Sequence, residues 1–147
     1  MQKIMVITGA SRGIGAATAR LAAALGYAVC VNYRERREPA ERLVAEINGA
    51  GGVAISVGAD VARESDVERL FATVDAQLGR MTALVNNAGV LETQMPVENM
   101  DAARIQRVFA TNVVGSFLCA REAIRRMARK HGGAGGAIVN VSSMAAR

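Results

Sequence analysis

One alternation constrains the fold of this chain more than any other feature. Short runs rich in apolar and β-branched residues fall at 4–7, 29–32, 53–57, 83–86 and 138–142, and stretches of helical period separate them. A strand reaches a parallel neighbour only through a crossover connection, and such crossovers are right-handed. The spacing therefore predicts an α/β fold, a doubly wound parallel sheet in a three-layered α/β/α arrangement. Between the first two runs, Ile14, Thr18, Leu21 and Leu25 lie at helical spacing and read as the apolar stripe of one helix face, stopped by Gly26. The next helix opens near Pro39 and carries Leu43, Val44 and Ile47 before NGAGG ends it. In the third, Ser65 and Glu68 form a capping box, followed by Val67, Leu70, Phe71, Val74 and Leu78 on one face. The connection over 87–136 is too long for one crossover. It reads as a loop over 89–100, a helix over 101–110 and a second over 112–130, with HGGAGG leading into the last strand.

Composition removes several function classes. With 51% hydrophobic and 21% charged residues, the chain is too apolar for disorder, and its apolar runs are too short to span a bilayer. Its 147 residues suit one domain. The apolar stretch in MQKIMVITGA is too short for a signal peptide and runs into a turn, so the expected compartment is the cytoplasm. Cys30 and Cys119 stand far apart in apolar contexts, as buried small hydrophobes do in a reducing compartment. His131 is the sole histidine and no metal-ligand spacing occurs, so no metal site is expected. The net charge of +5 suits a phosphate-bearing partner, either a nucleotide or a nucleic acid. The basic run REAIRRMARKH lacks interleaved aromatics and can pair Glu122 with Arg126. It reads as a solvated helix face or subunit contact, with neither nucleic acid nor membrane as partner.

The chemistry sits at strand ends. TGASRGIG, between the first strand and the first helix, contains Gly9, Gly13 and Gly15. Glycine there allows positive φ and lets a phosphate approach the backbone, while the helix that follows points free N–H groups and a positive dipole end at it. This is a nucleotide-binding turn, although it is neither the G-x-G-x-x-G fingerprint nor a Walker loop. NNAG follows the fourth run, Asn112 opens the long helix, and IVNVSS forms the fifth strand.

Together these motifs resemble the short-chain dehydrogenase/reductase family, in particular its 3-oxoacyl-reductase-like and glucose-dehydrogenase-like members. The likeness covers essentially the whole chain and corresponds to the N-terminal part of that family's Rossmann-type fold. It implies that Gly9, Ser11, Arg12, Gly13, Ile14 and Gly15 surround the adenosine and pyrophosphate of a nicotinamide cofactor. By the same resemblance Asp60, with Val61 beside it, receives the adenine amino group, and Asn87, Ala88 and Gly89 lie against the ribose. Asn112 would help hold a proton relay, and Ser143, in preference to Ser142, would be the catalytic serine. Simpler roles exist beside these: Asp60 as a turn former, Asn112 as a helix cap and Ser143 as a strand-end hydroxyl.

Charge speaks to the cofactor. NAD-selective sites place a carboxylate at the end of the second strand, whereas a 2′-phosphate needs cations. That position reads VNYRERR, with no carboxylate at Asn32 or Tyr33, and Arg34 together with Arg12 can fork onto a phosphate. The expectation is NADP(H) in preference to NAD(H), with Asn32 and Arg34 at the cofactor.

The resemblance implies hydride transfer between nicotinamide and a ketone or secondary alcohol, with a Tyr-x-x-x-Lys pair handling the proton. The only tyrosines, Tyr27 and Tyr33, fall in the second strand region. The chain is therefore expected to be the front part of one domain of about 250 residues, inactive alone, with its C-terminal strands missing and a break in a mobile loop after the fifth strand. The alternative is a dinucleotide-binding module without catalysis. The resemblance also implies a homo-oligomer, a tetramer or dimer built on the long helix, where Phe117, Ala120, Ile124 and Met127 form an apolar stripe. The substrate is left open.

Overall fold

Five parallel strands form the sheet in the order β3-β2-β1-β4-β5. The computed structural model describes residues 2–144. Its strands are β1 (Lys3–Ile7), β2 (Tyr27–Tyr33), β3 (Val53–Gly58), β4 (Ala83–Asn86) and β5 (Ala137–Asn140), and its helices are α1 (Gly13–Ala24), α2 (Arg37–Gly49), α3 (Glu64–Gln77), α4 (Ala102–Phe109) and α5 (Gly115–Met127). The chain winds outward from β1 in both directions, so the order reverses there. One face of the sheet packs on α1 and α2 through Ile7, Val29, Val31, Ala19, Leu43 and Ile47. The other packs on α3 and α5 through Val6, Cys30, Leu70, Phe71, Leu84 and Cys119. In β2, Ala28 to Asn32 are buried without a break, as a strand covered on both faces requires. The doubly wound α/β expectation is met. Among the described residues no helix is long and apolar enough to cross a membrane.

Several local expectations are corrected. The large apolar side chains of α1 face outward, with Ile14 66%, Leu21 62% and Leu25 68% exposed. The helix meets the sheet through Gly15, Ala16, Ala19 and Ala22 instead. Small residues let helix and sheet backbones approach closely, so the periodicity of large residues marked the wrong face.

The capping box at Ser65 and Glu68 is not formed. Helix α3 starts at Glu64 after Arg63, and the carboxylate at its N-terminus that takes a backbone donor is Asp66, whose Oδ2 accepts from the Asp60 amide at 2.8 Å. Asn112 does not open a helix. The chain is helical from Ala102 to Met127, interrupted by a π-turn at Ala110–Val114, and the expected extension to residue 130 becomes a separate 3₁₀ turn, Arg129–His131. The π-turn sets Asn112 off the regular helical repeat, a placement common at functional positions. The expected helix start at 101 is an N-cap, with Asp101 Oδ1 accepting from the Arg104 amide at 2.7 Å. Strand β5 ends at Asn140, so Val141, Ser142 and Ser143 follow it. Of the α5 stripe only Met127 is buried, whereas Phe117 is 74% exposed.

Candidate functional site

Open parallel sheets bind ligands in the crevice outside the carboxyl ends of their strands, where the winding reverses. Here that place lies between the turn after β1 and the turn after β4, and side chains fasten the two together. Thr8 Oγ1 accepts from the amides of Asn87 and Ala88, each at 3.0 Å. Asn87 Nδ2 donates to the carbonyls of Thr8 and Gly9, both at 3.0 Å. From the other side, Asn32 Oδ1 accepts from the Gly9 amide at 3.2 Å, and its Nδ2 donates to Val57 and Ala59 carbonyls at 3.2 and 3.1 Å. The glycine turn is thus held from both directions of the sheet.

Close backbone contact demands glycine at two of these positions. At Gly9, φ is +60° and a Cβ would stand 2.8 Å from Ala88 Cα. At Gly15, a Cβ would meet Asn87 Nδ2 at 2.6 Å and Ala10 Cα at 2.8 Å. Around Gly13 the space is open, with no atom within 4 Å of a built Cβ.

The turn opens on a cleft of about 480 Å³. Gly9, Ser11, Arg12, Gly13 and Ile14 line it from the turn, Asn32 and Arg34 from the end of β2, Asp60 and Val61 from the end of β3, and Asn87, Ala88 and Gly89 from the end of β4. Gly15 lies buried behind the turn. The side-chain polar atoms of Asn32 are spent on backbone groups, so its contribution is to place the turn. Asp60 lines the cleft and also forms a turn, its Oδ1 accepting from the Ala62 amide at 2.9 Å. Arg12, Arg34 and Arg36 bring positive charge to the cleft wall, tempered by Glu35, which pairs with Arg34 Nη2 at 2.9 Å.

A second cavity, of about 660 Å³, shares Ile14 and Asn87 to Val90 with the first and brings Asn112 together with Ser142 and Ser143. The Asn112 amide clamps the backbone of Val90: Oδ1 accepts from its N–H at 2.7 Å and Nδ2 donates to its carbonyl at 2.9 Å. Ser116 Oγ donates to the Asn112 carbonyl at 3.2 Å. The buried Asn86 donates through Nδ2 to the Ser116 carbonyl at 3.1 Å and to Asn140 Oδ1 at 3.0 Å, while its carbonyl accepts from the Val141 amide. Asn86 therefore joins α5 to the end of β5, just ahead of Ser143. Thr8, Asn140 and the cleft-lining Thr111 were not singled out from sequence. The only signal for Thr8 was a hydroxyl at a strand end directly before a glycine.

The cysteines carry no chemistry here. Burial pushes the thiols of Cys30 and Cys119 up to about 12, so neither is a thiolate near neutral pH. Among the described residues no group of three or more His, Cys, Asp or Glu side chains could hold a metal ion.

Residues 3–147 match the family described as short chain dehydrogenase. The chain belongs to that family. It is 53% identical over 144 residues to the uncharacterized oxidoreductase YgfF of Escherichia coli (strain K12), covering 98% of this chain and 58% of YgfF. It is 38% identical to a 3-oxoacyl-[acyl-carrier-protein] reductase of Synechocystis, over 97% of this chain and 56% of that protein. A metagenomic short-chain oxidoreductase solved in complex with NADP superposes with a TM-score of 0.88 at 36% identity, over 97% of this chain and 62% of that one. This short-chain dehydrogenase/reductase chain thus spans little more than half the length of the relatives it matches.

Proposed function

We propose that this chain forms the cofactor-binding part of an NADP(H)-dependent oxidoreductase acting on a ketone or secondary alcohol. The observation that carries the reading is the cleft at the β1 turn, where Gly9 and Gly13, the three arginines Arg12, Arg34 and Arg36, and the Asn87–Gly89 segment line one space. The residues present fit a dinucleotide. The first backbone bond of α1 runs from the Ala16 amide to the Arg12 carbonyl, so the amides of Gly13, Ile14 and Gly15 precede it at the helix end suited to a pyrophosphate. The open space at Gly13 is where an added side chain would displace such a group. Arg34 and Arg12 would hold a 2′-phosphate, Asp60 and Val61 would flank the adenine, and Asn87, Ala88 and Gly89 would border the ribose.

Bound nicotinamide would supply or accept the hydride. In this reading Ser143 holds the substrate oxygen by a hydrogen bond. Asn112, by clamping Val90, fixes the wall between cofactor cleft and substrate cavity and helps hold a proton relay. The proton that balances the hydride needs a donor close to Ser143. Tyr27 and Tyr33 both lie on β2, so we assign the donor to the part of the relatives' length that this chain does not span. We place the protein in the cytoplasm, since Cys30 and Cys119 are free and buried, and read the exposed Phe117 and Ile124 of α5 as the contact of a homo-oligomer.

Calorimetric titration of the chain with NADPH and NADH tests the cofactor assignment. NADPH is expected to bind at least about tenfold more tightly, and Arg34→Ala to remove most of that difference, because charge-assisted bonds to phosphate are each worth about 1.5–3 kcal/mol. Absence of heat with both cofactors would overturn the reading, and tighter binding of NADH would reverse the cofactor choice.

A further inference from the structure

The loop after β4 and helix α4 line an open-sided cavity of about 640 Å³, within the range of about 300–1,000 Å³ usual for small-ligand pockets. It shares Val90 with the cofactor cleft, and Val90 and Leu91 with the Ser143 cavity. Met95, Pro96, Met100, Ile105, Val108 and Phe109 make its lining largely apolar. Two charged side chains enter it, Glu92 and Arg104.

Their pairing is lopsided. Arg107, outside the lining, holds both oxygens of Glu92, Nε to Oε1 at 2.8 Å and Nη2 to Oε2 at 3.0 Å. Arg104 has a side chain only 12% exposed, yet reaches Glu92 no closer than 3.5 Å, through Nη1 to Oε2. A guanidinium carries five donors, and a cation taken out of water needs a partner. Arg104 is thus a largely buried cation whose nearby carboxylate is already held in a fork by another arginine, and it faces an apolar space.

We infer that this cavity binds an apolar monocarboxylate, its hydrocarbon body against Met95, Ile105 and Phe109 and its carboxylate on Arg104. Hydrocarbon alone would leave Arg104 underpaired, and a small inorganic anion would leave the apolar wall wet. The acid satisfies both. The inference does not depend on the cleft holding NADP(H).

Octanoate is the probe, with octan-1-ol as its uncharged counterpart, each titrated into the chain by calorimetry. Octanoate is expected to bind at least about tenfold more tightly than the alcohol, the scale of one charged hydrogen bond. Arg104→Met should abolish that preference, and Arg104→Lys should restore part of it. Glu92→Gln, which removes the competing carboxylate, should tighten octanoate binding. Repeating the titration with NADPH present separates two sources of the same chemistry. Coupled affinities mark the carboxylate of a substrate, and unchanged affinity marks an independent acid site. Equal binding of octanoate and octanol, no binding of octanoate, or octanoate preference surviving in Arg104→Met would each overturn the inference.

Discussion

Gly13 and Gly15 stand two positions apart in one turn and are glycine for different reasons, which a pair of alanine substitutions separates. A Cβ at Gly15 collides with Asn87 Nδ2 and with the Ala10 and Gly9 backbone, so Gly15→Ala must push the β1 and β4 turns apart. Overpacking of this kind costs about 1–3 kcal/mol, and urea unfolding should register it. Gly13→Ala meets no protein atom but is strained at φ +57°, a cost of about 1–2 kcal/mol. Its Cβ would enter the cleft, so it should lose more NADPH affinity in calorimetry for the stability it gives up. Thr8 supplies the sharper residue-scale test. Thr8→Val leaves two inward amides, Asn87 N and Ala88 N, without their acceptor. At about 1–3 kcal/mol for each unsatisfied group, the variant should be less stable by about 2–6 kcal/mol in a denaturant titration. The glycines were legible in the sequence because few residues tolerate such turns. Thr8 was not, because a strand-end threonine has many uses and its partners lie far along the chain.

At the scale of elements, the sequence located α1 to α5 but not the 3₁₀ turn at Val97–Asn99, and periodicity misjudged the inward face of α1. It counts large apolar side chains, whereas contact distance is set by the smallest residues on the buried side. Leu43, Ile47, Leu70, Phe71 and Val74 were placed correctly, because in α2 and α3 the large residues do the packing. In α1 the assignment inverts, and two substitutions test it. Leu21→Lys should change stability by no more than about 0.5 kcal/mol, and Ala19→Leu should cost about 1–3 kcal/mol, both read from urea midpoints. The π-turn at 110–114 was also illegible, since the phase shift that an added residue puts into a helical pattern reads in sequence like a break between two helices.

Helices α3 and α5 carry a second test at this scale. Arg126 reaches Asp75 at 2.7 Å and Glu122 at 2.8 Å, and Arg125 reaches Glu122 at 2.7 Å. Burial alone would raise the Glu122 carboxyl, but the guanidinium groups of Arg126, Arg125 and Arg121 hold it below its ordinary range. A carboxylate with a lowered folded-state pKa adds stability above its unfolded pKa, about 4.3, and loses it as pH falls through the folded value. Glu122→Gln should therefore cost about 1–3 kcal/mol at pH 7, a gap that closes as unfolding is repeated at successively lower pH below about 4.

The whole molecule divides unevenly between its middle and its β5 edge. Strands β1 and β2 lie between packed helices, whereas β5 carries Val139 at 54% exposure and no fully buried residue. Local opening follows such differences in burial, so the amides of β5 should exchange with deuterium well before those of β1, β2 and β4. The cleft at the β1 turn is lined from the ends of β1, β2, β3 and β4, and by no residue of β5. A ligand seated there at one hundred times its dissociation constant adds about 2.7 kcal/mol of stability, and globally opening amides should slow accordingly. Saturating NADPH should therefore protect segments 9–15 and 87–90 together with the central strands, while the locally opening amides of β5 keep their original rates. This pattern separates cofactor held at the switch point from general compaction of the sheet. If NADPH slowed β5 as much as the glycine turn, the ligand would have to bridge from the cleft at the β1 turn to the Ser143 segment, and the proposed division between a cofactor cleft and a substrate cavity would fail.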